Sequence, residues 1–244
     1  IGLRTAPVRR VELTTPLRAT GRVTYDETRL HHVHTRYEAY VERLDADFVG
    51  KYVRKGEPLL SLYSPELYAA EEEYLLALRG GGDLLPSARR KLRLLNISAD
   101  DIAALERAGA APESTTLYAP SSGYVIAKTA YHGMRVKPED SLFDIVDLSR
   151  VWVLCDVYEY ELPRLRVGLR ATVTLPYWPG RTWEGRLSYL YPAVDPKTRT
   201  LKARLEVDNA RGELRAELFA DVVIATAPRS ALVVPEDAVL DSGE

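Results

Sequence analysis

The 244-residue chain has little of what several protein classes require. Its single cysteine, Cys155, cannot form an internal disulfide, and this leaves the redox compartment undetermined. No run of about 18 apolar residues is present, so the sequence predicts no transmembrane helix. The chain begins with Ile1 rather than methionine, which is typical of a mature or trimmed polypeptide, so a signal or anchor segment is expected outside it.

A charge excess and catalytic motifs are also missing. The 33 basic and 35 acidic residues leave a net charge of −2, so no nucleic-acid partner is predicted. No serine nucleophile elbow, phosphate-cradling loop or paired cysteine motif is present, so no catalytic residue is assigned and the chain is not expected to be an enzyme. Residues 80–82 are three glycines that end a helical pattern without a following lysine, which favours a flexible connector.

Two similar stretches lie far apart in the chain. They cover residues 50–62 and 133–145, and they align without a gap at an offset of 83 residues. Each predicts a short strand, a glycine turn and a second short strand. Since neither half could bury its apolar face alone, we expect the two to pack on each other as one sandwich. The aligned apolar pairs are Val53 with Val136, Leu59 with Leu142, Leu60 with Phe143, and Leu62 with Ile145.

Helical periodicity lies between the two halves. Ser64 followed by proline and glutamate predicts a capped helix start, and the three glycines end this first helix. Asp83 is the predicted cap of a second helix, and Ser98 starts a short third helix that reaches about Ala108. Acidic residues 71–73 and basic residues 89–91 and 93 can flank the seam between the first two helices.

From Leu148 onward, strand patterns return. Alternation is clearest over residues 201–207, and several such short strands predict a small barrel or sandwich. Residues 1–30 predict short exposed-edge strands, and residues 231–235 predict a strand whose partner lies either in residues 1–30 or beyond Glu244. The expected fold is mainly β with an α-helical hairpin, as an elongated multi-domain chain with a split sandwich, an inserted hairpin, a barrel and a partial further β domain.

Candidate ligand-binding residues are few. His32 and His34 can share one face of a strand, whereas His31 points to the other face. Imidazole suits zinc, copper and nickel, so this pair is the best metal candidate, and the alternative is a solvent-facing pair at a strand end. Copper(I) prefers thiolate and thioether ligands, and one cysteine with one methionine offers little for such a site. The aromatic residues predicted as barrel core or rim rather than a ligand box are Tyr158, Tyr160, Tyr177, Trp178 and Trp183.

The order of several motifs resembles a known family. The motifs are Tyr40-Val41-Glu42, Lys55-Gly56, Tyr63-Ser64-Pro65-Glu66-Leu67 with Glu73-Tyr74-Leu75, Leu117-Tyr118-Ala119-Pro120 with Gly123, Asp147-Leu148-Ser149-Arg150-Val151-Trp152-Val153, Val157-Tyr158-Glu159, Asp195-Pro196-Lys197-Thr198-Arg199-Thr200 and Val234-Pro235-Glu236-Asp237-Ala238-Val239. Together they resemble the periplasmic adaptor subunits, or membrane fusion proteins, of tripartite efflux pumps driven by resistance-nodulation-division (RND) transporters. Within that family they are similar to the heavy-metal branch, the CusB-like and CzcB-like adaptors.

The resemblance implies a domain order and a role. Its domains are a partial membrane-proximal domain (1–32 and 227–244), a lipoyl-like domain (33–63 and 115–147), an α-helical hairpin (64–114) and a β-barrel (148–226). It implies a non-enzymatic periplasmic protein, associated with the inner membrane, that links an RND transporter to an outer-membrane channel as a hexamer or trimer of dimers. The exported ions would be copper and silver, or zinc, cobalt and nickel.

The resemblance also implies where ligands and partners bind. No covalent cofactor is expected, and a metal ion such as copper, silver or zinc would be held only transiently. The hairpin would reach toward the channel, with candidate docking residues at its tip: Leu78, Arg79, Leu84 and Leu85.

The sequence departs from the family pattern in four ways. Ala39 replaces the usual glycine, and residues 214–218 replace the usual leucine-lysine-proline-glycine-methionine. The hairpin is short, and the methionine cluster of copper-specific members is not seen. These differences leave room for a drug-efflux or secretion adaptor of the same fold. A lipoyl or biotin carrier is a remote alternative, because Lys128 lacks the flanking residues of a modified lysine.

Overall fold

The computed structural model describes residues 5–81 and 83–239. Within these residues there are short 3-10 helices at Glu27–Arg29, Glu159–Arg164 and Glu236–Ala238. The α-helices are α1 (Pro65–Gly80), α2 (Leu85–Leu94) and α3 (Ala99–Ala108). The strands are β1 (Arg9–Leu13), β2 (Leu17–Tyr25), β3 (Leu30–Val33), β4 (Ala39–Leu44), β5 (Tyr52–Val53), β6 (Pro58–Tyr63), β7 (Thr115–Tyr118), β8 (Gly123–Lys128), β9 (Arg135–Val136), β10 (Phe143–Val146), β11 (Arg150–Tyr158), β12 (Arg170–Thr174), β13 (Thr182–Asp195), β14 (Thr200–Asp208), β15 (Phe219–Ile224) and β16 (Arg229–Val233).

The chain divides into two units. One comprises Tyr25–Leu148, and the other comprises Ile1–Thr24 together with Ser149–Glu244. No helix among the described residues is both long enough and apolar enough to cross a membrane.

The first unit contains a split sandwich of two four-stranded sheets. Their strand orders are β3-β10-β8-β5 and β7-β6-β4-β9, so each sheet takes strands from both sequence halves. The exchange is reciprocal, because β5 of the first half pairs with β8 and β9 of the second half pairs with β4. The predicted packing of the two halves as one domain is therefore confirmed.

The aligned apolar pairs form the core of this sandwich. Val53 and Val136 are both 0% exposed, as are Leu59 and Leu142. The other four aligned residues are at most 1% exposed. Burial of each apolar side chain contributes about 1.5–3 kcal/mol relative to exposure, which explains why neither half would be stable alone.

Three helices are inserted between the halves. Ser64 caps α1 by accepting a hydrogen bond from the Leu67 amide, and Ser98 caps α3 through the Asp101 amide, as predicted. Gly81, in the left-handed region with φ 60°, ends α1. Pro65 is tolerated in the first turn of α1 because a backbone N–H at that position would have no partner within the helix.

The predicted cap of the second helix is wrong. α2 begins at Leu85, so the N-cap position falls on Leu84, which makes no side-chain cap bond, and not on Asp83. The helix instead receives support from ion pairs, of which the pair between Lys91 and Glu73 lies in the predicted charge seam. Lys91 pairs with Glu73 of α1 at 2.6 Å, and Arg89 lies 3.6 Å from Glu106 of α3.

The second unit contains a closed six-stranded barrel with the order β11-β14-β13-β12-β15-β2. The alternating apolar residues of β14 face its core and are at most 2% exposed: Leu201, Ala203, Leu205 and Val207. Together with the sandwich and helices, the barrel confirms the predicted mainly β fold class.

The assignment of residues 17–25 to an exposed edge strand in the membrane-proximal part is wrong. β2 pairs with β15 along its length, from Phe219↔Arg22 to Ile224↔Leu17. A barrel closes only when every edge strand is paired, and β2 supplies the missing strand. Close packing reflects this role, since a Cβ on Gly21 would lie 2.9 Å from Val153 Cγ1.

A two-stranded ribbon joins the ends of the described chain. β1 pairs with β16 in antiparallel register, from Arg9↔Val233 to Leu13↔Arg229. Of the two alternatives for the terminal strand, the structure supports a partner within residues 1–30.

Candidate docking surfaces and metal-ligating residues

The four predicted tip residues lie where α1 ends and α2 begins. Leu78 is 37% exposed and Leu84 is 71% exposed, so both apolar side chains are available to a partner. The guanidinium of Arg79 donates a hydrogen bond to the Gly109 carbonyl, so this side chain is already engaged within the chain. Leu85 is half-buried and packs against the core of the unit. The exposed apolar part of the tip is therefore Leu78 and Leu84.

The outer face of α2 continues from the tip and was not singled out from the sequence. Leu94, at the other end of the helix, is 66% exposed. Between them, Arg90 makes no ion pair with any acidic side chain among the described residues. A groove of about 400 Å³ lies along this face, lined by Asp83, Pro86, Ser87, Arg90, Lys91 and Leu94. The sequence offers no periodic signal for this face, because Leu84 and Leu94 are ten residues apart and so lie about 80° apart around a helix axis.

The histidine pair lies on the exposed side of β3 and its continuation. His32 and His34 are exposed and flank the buried Val33, as the strand alternation predicts. The Nδ1 atom of His32 lies 2.7 Å from Asp144 Oδ1, which also accepts a hydrogen bond from Ser141. Over the described parts of the chain, no group of three or more His, Cys, Asp or Glu side chains is placed to hold a metal ion. Two imidazoles without a third ligand do not fit a resident metal site.

The sulfur-containing side chains do not form a metal site either. Cys155 is 0% exposed in the barrel core, and its thiol donates to the Ala203 carbonyl at 3.2 Å. Burial raises the pKa of Cys155 to about 12, so the thiolate that binds metals is not formed near neutral pH. Met134 lies in the other unit, at a turn of the sandwich.

Lys128, considered as a carrier lysine, is engaged within the sandwich. Its ammonium donates to the Ala130 carbonyl at 2.8 Å and lies 3.9 Å from the centre of the Tyr131 ring. These contacts hold the amine close to its own turn.

The barrel aromatics lie at its surface. Tyr158 and Tyr160 are 54% and 70% exposed and stack with ring centres 5.5 Å apart. Trp178 is 41% exposed and lies 6.3 Å from the ring of Trp183. Phe219, which was not singled out from the sequence, is 70% exposed. The sequence left barrel core and rim open, and the exposed rings belong to the rim.

Comparison with known proteins agrees with this geometry. Residues 30–146 match the family profile described as the CusB barrel-sandwich hybrid domain, and residues 150–228 match the CusB-like beta-barrel domain. The first covers the sandwich with its helical insert, and the second covers most of the barrel. The chain belongs to the heavy-metal membrane fusion proteins, the CusB-like family of RND adaptors.

Individual relatives are named for cation efflux and for metal resistance. The chain is 32% identical to the cation efflux system protein CusB of Escherichia coli (strain K12) over 245 residues, which covers 100% of this chain and 60% of that protein. It is 29% identical to the cobalt-zinc-cadmium resistance protein CzcB of Cupriavidus metallidurans, with 83% of this chain and 44% of that protein covered. The chain therefore spans only part of the length of these relatives.

A solved structure supports the fold. The crystal structure of ZneB from Cupriavidus metallidurans matches with a TM-score of 0.58 and 21% sequence identity. The match covers 88% of this chain and 99% of that one.

Proposed function

We propose that this chain is part of a periplasmic adaptor that links an inner-membrane RND transporter to an outer-membrane channel for efflux of heavy-metal cations. The observation that carries the proposal is the order of two family domains, each on the part of the chain with the corresponding fold. The named roles of the relatives in cation efflux and in cobalt, zinc and cadmium resistance support a metal cargo.

The adaptor works as an assembly joint rather than an enzyme. We assign residues 30–63 and 115–147 to the lipoyl-like domain, because β3 pairs with β10 in its sheet, 64–114 to the helical insert and 148–226 to the barrel, with β2 added to the barrel. The remaining terminal segments belong to the membrane-proximal domain. The protein acts in the periplasm at the inner membrane as a hexamer or trimer of dimers, because a ring is needed to surround a continuous export path.

Gene deletion tests the cargo directly. Loss of the protein should lower tolerance to copper and silver, or to zinc, cobalt or nickel, and the intact gene should restore it. Unchanged tolerance to all five metals, together with new sensitivity to dyes or detergents, would instead identify the drug-efflux alternative.

The exposed apolar tip is the proposed docking point for a helix of the channel. Leu84→Asn in the full-length protein should lower metal tolerance without loss of folding, since asparagine is favourable at the N-cap position that Leu84 occupies. Leu94→Asn is the matched control, because Leu94 is similarly exposed on the same helix but lies at its other end. Equal loss in both variants would assign docking to the whole helix face, and no loss in either would remove the tip from the interface.

His32 and His34 are the proposed transient contact for the exported cation. Two imidazoles on one strand face can bind zinc or copper(II) weakly and release it, which suits a protein that binds its cargo only transiently. Calorimetric titration of the purified protein with zinc and with copper(II) should show binding that the double variant His32→Ala/His34→Ala loses. His132→Ala, which changes an exposed histidine in a turn, is the control. Equal binding by the double variant and this control would contradict the assignment.

A further inference from the structure

Glu71 is a buried carboxyl group inside the helical insert. The sequence places it in the acidic segment 71–73, where all three side chains could flank the helix seam. The structure instead buries Glu71 to 5% exposure, on the same face of α1 as Ala70 and Tyr74. Its Oε2 atom is inaccessible to solvent and has no hydrogen-bond partner among the described residues. A buried carboxylate without a partner is strongly destabilising, whereas its neutral acid is tolerated.

The groups around Glu71 make its ionised form still less favourable. The carboxylate of Asp101, in the first turn of α3, repels a negative charge on Glu71. The carboxylate of Glu72, next to Glu71 on α1, does the same. Tyr37, from the segment between β3 and β4, is 5% exposed and is an uncharged phenol near neutral pH. Burial raises the pKa of Tyr37 to about 12, with smaller contributions from Glu71 and Asp101. Two cations of the insert pair with other carboxylates, since Arg89 lies beside Glu106 and Lys91 pairs with Glu73.

Three elements therefore meet around one acidic cluster: α1, α3 and the segment of the sandwich that carries Tyr37. Desolvation by burial, followed by Asp101 and Glu72, raises the pKa of Glu71 from 4.5 to about 7. The pKa of Glu71 is higher in the folded protein than in the unfolded chain. Its contribution to the free energy of unfolding is therefore complete below about pH 4.5 and is lost as the pH rises to about 7. That interval is close to physiological conditions.

We propose that Glu71 is a pH-sensitive latch that docks α1 and α3 against the sandwich in its protonated form and loosens them when it ionises. The latch rests on the burial of a carboxyl group whose Oε2 atom has no hydrogen-bond partner among the described residues, at the junction of three elements. The barrel unit contains no part of it.

Hydrogen exchange of the full-length protein between about pH 5 and about pH 8 tests the latch, once rates are corrected for intrinsic exchange. Opening of α3, followed at the amides of Ile102 and Leu105, should increase by about tenfold or more over this range. Glu71→Gln keeps the shape and removes the charge, so its α3 opening should not change with pH. Glu73→Gln is the matched control, because Glu73 is exposed on the same helix and should leave the wild-type pH response unchanged.

A second measurement does not depend on a folded variant. The side-chain carboxyl carbon of Glu71, followed by NMR in the wild-type protein, should titrate well above the exposed carboxyl of Glu73. Titration of Glu71 at an ordinary carboxyl pH, or an unchanged pH response in Glu71→Gln, would overturn the proposal.

Discussion

The two halves of the sandwich use the same pairing but do not pack alike. Ala39 of β4 lies opposite Val136 of β9, and Gly123 of β8 lies opposite Val53 of β5, so Ala39 and Gly123 are equivalent positions. Even the turn contacts repeat, since Gly50 donates to the Val125 carbonyl as Gly133 donates to the Val41 carbonyl.

The difference lies in the space beside the backbone. A Cβ atom built on Gly123 would lie 2.4 Å from the Val146 carbonyl oxygen and 2.7 Å from the carbonyl carbon. Ala39 carries a Cβ at the equivalent position and is 1% exposed. The same strand register therefore requires glycine in one half and accepts alanine in the other. This explains why a departure from the family pattern is tolerated at Ala39.

The largest effect is expected from a charge in the shared core. Val136→Asp and Val53→Asp should each destabilise the sandwich by roughly 3–5 kcal/mol, because each buries an unpaired carboxylate at an equivalent site. Hydrogen exchange of sandwich peptides measures this loss. The three tryptophans all lie in the barrel unit, so their fluorescence is an internal control that should stay native. If only one of the two variants were destabilised, the halves would not share one core.

The next effect separates the equivalent glycine and alanine positions. Gly123→Ala should destabilise the sandwich by about 2–3 kcal/mol, since the new methyl group meets a carbonyl that belongs to the paired strand β10. Denaturant unfolding followed by exchange in β8 and β10 measures it. Stability within about 0.5 kcal/mol of the wild type would mean that the two halves leave equal space for a Cβ atom at this position.

The reverse change, Ala39→Gly, should destabilise the sandwich less than Gly123→Ala does. Ala39→Gly removes one buried methyl and loosens a strand, which together destabilise by about 1–2 kcal/mol. The same unfolding measurement applies. A cost as large as that of Gly123→Ala would contradict the difference in packing between the halves.

A third position of the family's glycine pattern depends on the backbone angle rather than on space. Glu217 stands where the family usually has glycine, and its φ of 71° lies in the left-handed region. Glu217→Gly should stabilise the barrel by about 0.5 kcal/mol, because relief of this conformation outweighs the exposed ion pair with Arg22 and the extra freedom of glycine when unfolded. Thermal unfolding followed by tryptophan fluorescence measures it, and Arg22→Gln isolates the contribution of the ion pair. A lower melting temperature for Glu217→Gly than for Arg22→Gln would count against backbone strain.

Much of the fold follows from local patterns in the sequence. The aligned apolar residues around Val53 and Val136 predicted the split sandwich, because burial of one face is possible only with the other half. Ser64 and Ser98 predicted two helix starts because serine at an N-cap satisfies a free backbone amide. The alternation around Leu205 predicted a barrel strand facing the core.

Other features depend on contacts between distant residues and escaped prediction. The alternation in residues 17–25 shows a strand but not its partner, and only the closed barrel reveals that β2 belongs with β15. Glu71 looks like its exposed neighbours in sequence, and its burial depends on how α3 and Tyr37 pack around it. At the candidate site, strand alternation placed His32 and His34 on one exposed face, but it could not indicate that Asp144 lies beside His32.

Amide exchange at two equivalent hydrogen bonds tests most directly whether the halves form one domain. The Val41 amide donates to the Met134 carbonyl and the Val125 amide donates to the Lys51 carbonyl, both at 2.9 Å and both between halves. We expect the two amides to open with free energies within about 0.5 kcal/mol of each other, and to lose protection together in Val136→Asp. Opening free energies that differ by about 2 kcal/mol or more, with one amide still protected in the variant, would contradict a single split domain.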